Sequence, residues 1–102
     1  QLDDIDAAVC KVLRLPSGTL QQKQRAWAVS HPRMLAIYLA RKHTSAAYSE
    51  FGQHFGGRNH STAVAAEKKV RQWARDGGEL VLGQQRLRVR DLVELIEREL
   101  HR

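Results

Sequence analysis

FGQHFGGRNHST, residues 51–62, puts two glycines, an arginine, an asparagine, a histidine and two hydroxyl residues in one run between apolar segments. Phe51 and Phe55 stand four apart, which predicts a short helix from about Tyr48 to Phe55 with both rings turned inward. Gly56-Gly57 takes positive φ at little steric cost, so the chain can bend sharply there. Asn59 is a favourable N-cap for a second helix reaching roughly Arg75, with Ala63, Ala66, Val70 and Trp73 on its apolar face and charges opposite. Gly77-Gly78 ends it. A short helix, a glycine bend and a longer helix predict a helix-turn-helix.

The flanks fit a mainly helical class. LDDIDAAVCKVLRL carries Ile5, Val9 and Val12 at helical spacing, with Asp3 or Asp4 as the expected cap and Pro16-Ser17-Gly18 as the stop. A short helical turn is expected around Leu20, and QQKQRAWAVS reads as a connecting loop. Ser30-His31-Pro32 is expected to open the next helix, which buries Leu35, Tyr38 and Leu39 and runs to about His43. Beyond Gly78, ELVL-GQQ-RLRV reads as a possible hairpin, and DLVELIEREL as an amphipathic helix through Leu92, Leu95, Ile96 and Leu100. The fold class expected is therefore all-α: a helix-turn-helix bundle with a small hairpin before its last helix.

At 102 residues the chain has the size of one domain, and its single cysteine, Cys10, excludes an internal disulfide. With no disulfide to form, a reducing, cytoplasmic compartment is the expectation, and no apolar run approaches the roughly 18 residues of a membrane span. Gln1 in first place suggests a fragment of a longer protein. The net charge of +6 is concentrated: residues 21–75 hold ten Lys/Arg against two acids, a net +8, while both ends are slightly acidic. Such a central basic block is the electrostatic footprint of a polyanion binder.

Four chemistries compete for the glycine-turn cluster. His43, His54 and His60 lack useful metal-ligand spacing and Cys10 is far away. Ser49 and Ser61 have no His/acid partners beside them, and no phosphate-binding glycine loop of the P-loop kind exists, so no enzymatic activity is expected. In a helix-turn-helix, the first turn of the second helix meets base edges in the major groove, and here it holds Asn59, His60, Ser61 and Thr62. The plainer alternative, in which Asn59 only caps and the next three residues are a solvated turn, stays open on pattern alone.

The run FGGRNHST resembles the FGGR[DN]H[ST]T motif of the C-terminal DNA-binding domain (domain IV) of bacterial DnaA replication initiators. Upstream, VSHPRMLAIYLARKHTSAAYSEFGQH is similar to the family's V-x-x-PR-x-x-A-x-x-LA…S-x-x-EIG-x-x run, and downstream the basic AEKKVRQW is of its kind. The likeness covers about residues 3–75, and residues 76–102 form an extension whose insert before the final helix is longer than usual. It implies a Trp-repressor-like bundle that reads a DnaA box in double-stranded origin DNA. Arg33, Asn59, His60, Ser61 and Thr62 would face the major groove, and Lys23 and Arg25 of the basic loop the minor groove. Arg58, Lys68 and Lys69 would contact phosphates. No cofactor is expected in this chain, ATP belonging to any ATPase module of the parent protein, and no membrane, small-molecule or self-association partner is expected. A transcription regulator, a transposase-linked DNA reader and a protein-interaction module docking through Asp91–Leu100 remain as rivals.

Overall fold

The computed structural model describes residues 1–23, 27–56 and 59–102, with Trp27 described by its backbone alone. Its elements in order are α1 (Leu2–Leu13), a 3-10 turn (Thr19–Gln21), α2 (Trp27–His43), α3 (Tyr48–His54), α4 (His60–Asp76), β1 (Glu79–Leu82), β2 (Gln85–Arg88) and α5 (Val89–Leu100).

Helix α2 is the central element, packing against α1, α3, α4, the 3-10 turn and β1. Its sequence explains that position. Beyond the expected Leu35 and Leu39, Ala36, Ile37 and Ala40 are also buried, so the helix is covered over most of its circumference, whereas Tyr38 lies half-buried at its edge. The helix starts at Trp27 rather than at the expected Ser30 cap, which leaves Pro32 inside it. Thr44 closes it by donating its hydroxyl to the Ala40 carbonyl at 2.7 Å and accepting the Ala46 N–H.

Helix α1 also starts earlier than expected, at Leu2, so Asp3 and Asp4 occupy its first turn instead of capping it. There their charge offsets the positive helix end. Arg14 ends the helix with φ 57°, before Pro16 is reached, and the Leu15 N–H bonds back to Cys10 O at 2.8 Å. Cys10 is buried, and its thiol pKa is raised to about 11, first by burial and then by its bond to Asp6.

The two ends of the chain meet in one core. Val89, Leu92, Val93 and Ile96 of α5 join Ile5 and Val9 of α1 and both Phe51 and Phe55 in a single buried cluster. Each phenylalanine buried this completely contributes about 2–3 kcal/mol. The hairpin forms as an antiparallel pair with Leu80 opposite Leu87, turning through Gly83, and only Leu80 is fully buried. Leu95, expected on the buried stripe of the last helix, is 46% exposed; the face that packs runs through Val89, Leu92, Val93 and Ile96, and Leu95 lies to one side of it.

Candidate nucleic-acid interface

The exit from α3 follows the phenylalanine spacing and Gly56, whereas Gly57 lies outside the described residues. Ala47 caps α3 without a side-chain bond, and the carboxylate of Glu50 compensates by accepting the Ala47 N–H at 3.1 Å. Phe51 and Phe55 sink into the core, and Gly56 leaves the helix with φ +95°. Asn59 then caps α4, its Oδ1 accepting the Thr62 N–H at 2.8 Å. Asn59, His60, Ser61 and Thr62 are all exposed, so the first turn of α4 stands in solvent. Since the Asn59 oxygen is taken up by the cap, its amide N–H2 is the group left to face a ligand.

His60 is exposed but supported. Its ring meets Tyr48 edge-on at 5.4 Å, and Tyr48 in turn receives the Arg41 Nε–H on its hydroxyl at 3.2 Å. This aromatic support was not among the expected site residues; an aromatic opening the short helix was its one signal in the sequence.

Lys68 and Lys69 are exposed on α4. Seven residues make nearly two full turns, so Lys69 follows Thr62 on one side of the helix, about 10 Å along. Between them Ala65 and Ala66 leave a groove against Met34 and Ile37 of α2, with Ser30, Thr62 and Lys69 around its edge. The Lys69 ammonium also sits 5.5 Å from the Trp73 ring, onto which His31 packs edge-on at 5.1 Å. Small residues on α4 thus open an apolar floor, and polar residues edge it.

Burial, and then the charge of Lys69, hold the His31 imidazole below its ordinary pKa of 6.5. The unfolded chain therefore takes up this proton first. Stability due to the neutral ring is complete above pH 6.5 and is lost as the pH falls from there through the lowered folded value. Urea midpoints measured between pH 7.5 and pH 5 should decline, and His31→Phe, which keeps a ring against Trp73, should flatten that part of the decline. An unchanged slope would remove His31 from the account.

Arg33, expected at a base edge, lines the same groove as Thr62 and Lys69 from its α2 side. It is 4% exposed, its guanidinium donates to the Gln22 carbonyl, and its planar end lies against Gly56. In this position it packs within the domain with its Nη2 committed to Gln22. Lys23 is exposed beside that carbonyl, while Arg25 and Arg58 lie outside the described residues. Among the described residues, no three His, Cys, Asp or Glu side chains gather as metal ligands would, and no helix is long and apolar enough to cross a membrane.

A short helix, a bend at a positive-φ glycine and a capped helix with a polar, solvent-facing first turn define a DNA-binding helix-turn-helix. Residues 2–70 match the family described as bacterial dnaA protein helix-turn-helix, and the chain belongs to that family. Among its relatives is the chromosomal replication initiator protein DnaA of Sphingopyxis alaskensis, 44% identical over 69 residues. The proteins of the same name from Methylacidiphilum infernorum and Zymomonas mobilis are each 35% identical over 69 residues. The matched segment is 68% of this chain but only 14–15% of those relatives. The hairpin and α5 lie beyond the family match.

Proposed function

We propose that this domain reads a DnaA-box-like site in double-stranded origin DNA, as the DNA-binding part of a bacterial chromosomal replication initiator. The observation that carries the reading is the first turn of α4, where Asn59, His60, Ser61 and Thr62 project from a capped helix end into solvent. These side chains are small enough to enter a major groove and rich enough in donors and acceptors to discriminate base edges. Lys68, Lys69 and Arg58 supply phosphate contacts that set register, and Lys23 and Arg25 enter the minor groove, whose negative potential is strongest in A·T-rich DNA. On this reading the domain works with the nucleoid in the cytoplasm, and ATP handling lies in other parts of the initiator.

Gel retardation with a DnaA-box duplex and a scrambled duplex tests the reading. The wild-type domain should favour the box, and His60→Ala should lose about 10–100-fold of that preference, the equivalent of one good base contact. Arg25→Ala should weaken box binding as well. Equal retention of both duplexes by the wild type would defeat the proposal.

Asn59 adds a finer test. An outward amide N–H2 donates, which suits acceptors such as adenine N7 or guanine O6; an aspartate in its place would accept, which suits cytosine N4. Asn59→Asp should therefore shift preference toward cytosine at one base pair by about 10–100-fold. Identical base preference for the two proteins, read from an array with that pair varied, would rule the assignment out.

A further inference from the structure

Three separated points of the chain meet at one guanidinium. Arg33, on the N-terminal half of α2, donates through Nη2 to the carbonyl of Gln22, one residue before Lys23. Its planar end also fills the space where Gly56 lacks a side chain: a Cβ there would sit 3.0 Å from Nε and 3.2 Å from Cζ. The same Cβ would be 3.2 Å from the Gln22 carbonyl oxygen, so the missing side chain at Gly56 leaves room for Gln22 as well as for the arginine. Gly56 precedes His60, the first residue of α4, by only four positions. The root of the basic loop and the bend that aims α4 are thus held against a single rigid group.

We infer that Arg33 is a positioning residue that fixes the spacing between Gln22-Lys23, where the basic segment begins, and Gly56, where the chain leaves α3 toward α4. Arginine suits the task because its planar, permanently charged fork can lie flat against a glycine backbone while donating in its own plane to a carbonyl. Lysine offers the charge without the plane. The two DNA-reading elements then arrive at a duplex already set to a common distance, which lowers the ordering that binding requires. What is positioned rests on the DNA-reading function proposed above; the three-point contact itself does not.

Two measurements test the inference, one of them without DNA. Heteronuclear 15N–1H NOEs should fall at Gln22 and Lys23 in Arg33→Met and Arg33→Lys, while those along α4 stay as in the wild type. Arg33→Lys keeps the aliphatic stem in the core and so supplies a folded variant if Arg33→Met unfolds. Unchanged NOEs at Gln22 and Lys23 would overturn the positioning role, whatever the domain binds.

The second measurement is a double-mutant cycle on the duplex that the wild-type domain enriches from random-sequence DNA. Arg33→Lys should weaken binding about tenfold, within the range of couplings between contacting groups, yet less than about twofold when Lys23 and Arg25 are already alanine. Equal losses in both backgrounds would overturn the inference. So would altered preference at a single major-groove base pair, the mark of direct contact by Arg33, or full wild-type affinity with lysine. If the wild type enriches no duplex, the DNA-reading proposal fails, and the NOE comparison still decides the role of Arg33.

Discussion

Gly56→Ala should destabilise the domain by about 2–5 kcal/mol, the sum of left-handed backbone strain and an overpacked contact. The backbone at Gly56 has φ +95°, and an added Cβ would press on Arg33 Nε at 3.0 Å and on the Gln22 carbonyl at 3.2 Å. The carbonyl belongs to the backbone, so relief requires the chain itself to move. Domains of this size are stable by about 5–15 kcal/mol, so the melting temperature should drop by roughly 10–30 °C. Gly18→Ala is the matching control. Gly18 has nearly the same φ, +90°, with nothing within 4 Å of the added carbon, and so isolates the backbone strain. Equal losses in the two variants would show that the contact between bend, loop and Arg33 contributes nothing to stability.

The other large effect is on binding. If the charges of Lys23 and Arg25 in the minor groove and of Arg58, Lys68 and Lys69 at the backbone together displace the counterions of about five phosphates, the slope of log K against log salt should be about −4.5. Raising salt from about 50 to about 200 mM should then weaken binding by roughly 500-fold. Lys68→Ala should reduce the slope by about one while leaving base preference intact; His60→Ala should do the reverse. Fluorescence anisotropy across a salt series separates the two. A slope near zero would contradict DNA binding through this basic surface.

Much of this was legible in the sequence because the decisive signals are local. Phe51 and Phe55 at a spacing of four, a glycine bend and an N-capping Asn59 each act within a turn of helix, and the structure follows them to within a residue or so. The hairpin between Gly78 and α5 was legible for the same reason, as alternation around a turn. Boundaries decided by distant packing were not. Ser30-His31-Pro32 has the pattern of a helix start, yet α2 is extended back to Trp27, where Val29 is buried. Leu95 fits an apolar stripe of α5, but the core lies against Val89, Leu92, Val93 and Ile96, which leaves Leu95 outside. Arg33 shows the limit most clearly. Its motif marks a site residue, but nothing local announces that Gln22 and Gly56 close over it.

The acidic side of α5 bears on how the molecule approaches a polyanion. Glu97 accepts from Lys42 at 2.7 Å and lies 2.8 Å from His43, while Glu99 pairs with Lys11 at 3.0 Å. These cations belong to the C-terminal ends of α1 and α2, and Arg33 and the bend lie nine residues, about 13 Å, back along α2 from Lys42. Positive charge is thereby offset at the C-terminal ends of α1 and α2. If the domain reads DNA as proposed, a charge asymmetry of this kind would experience a torque in the field of a duplex and favour encounters that present the first turn of α4. Reversing Glu97 and Glu99 to lysine would raise the net charge yet blunt that alignment, making encounters more frequent and a smaller share of them productive.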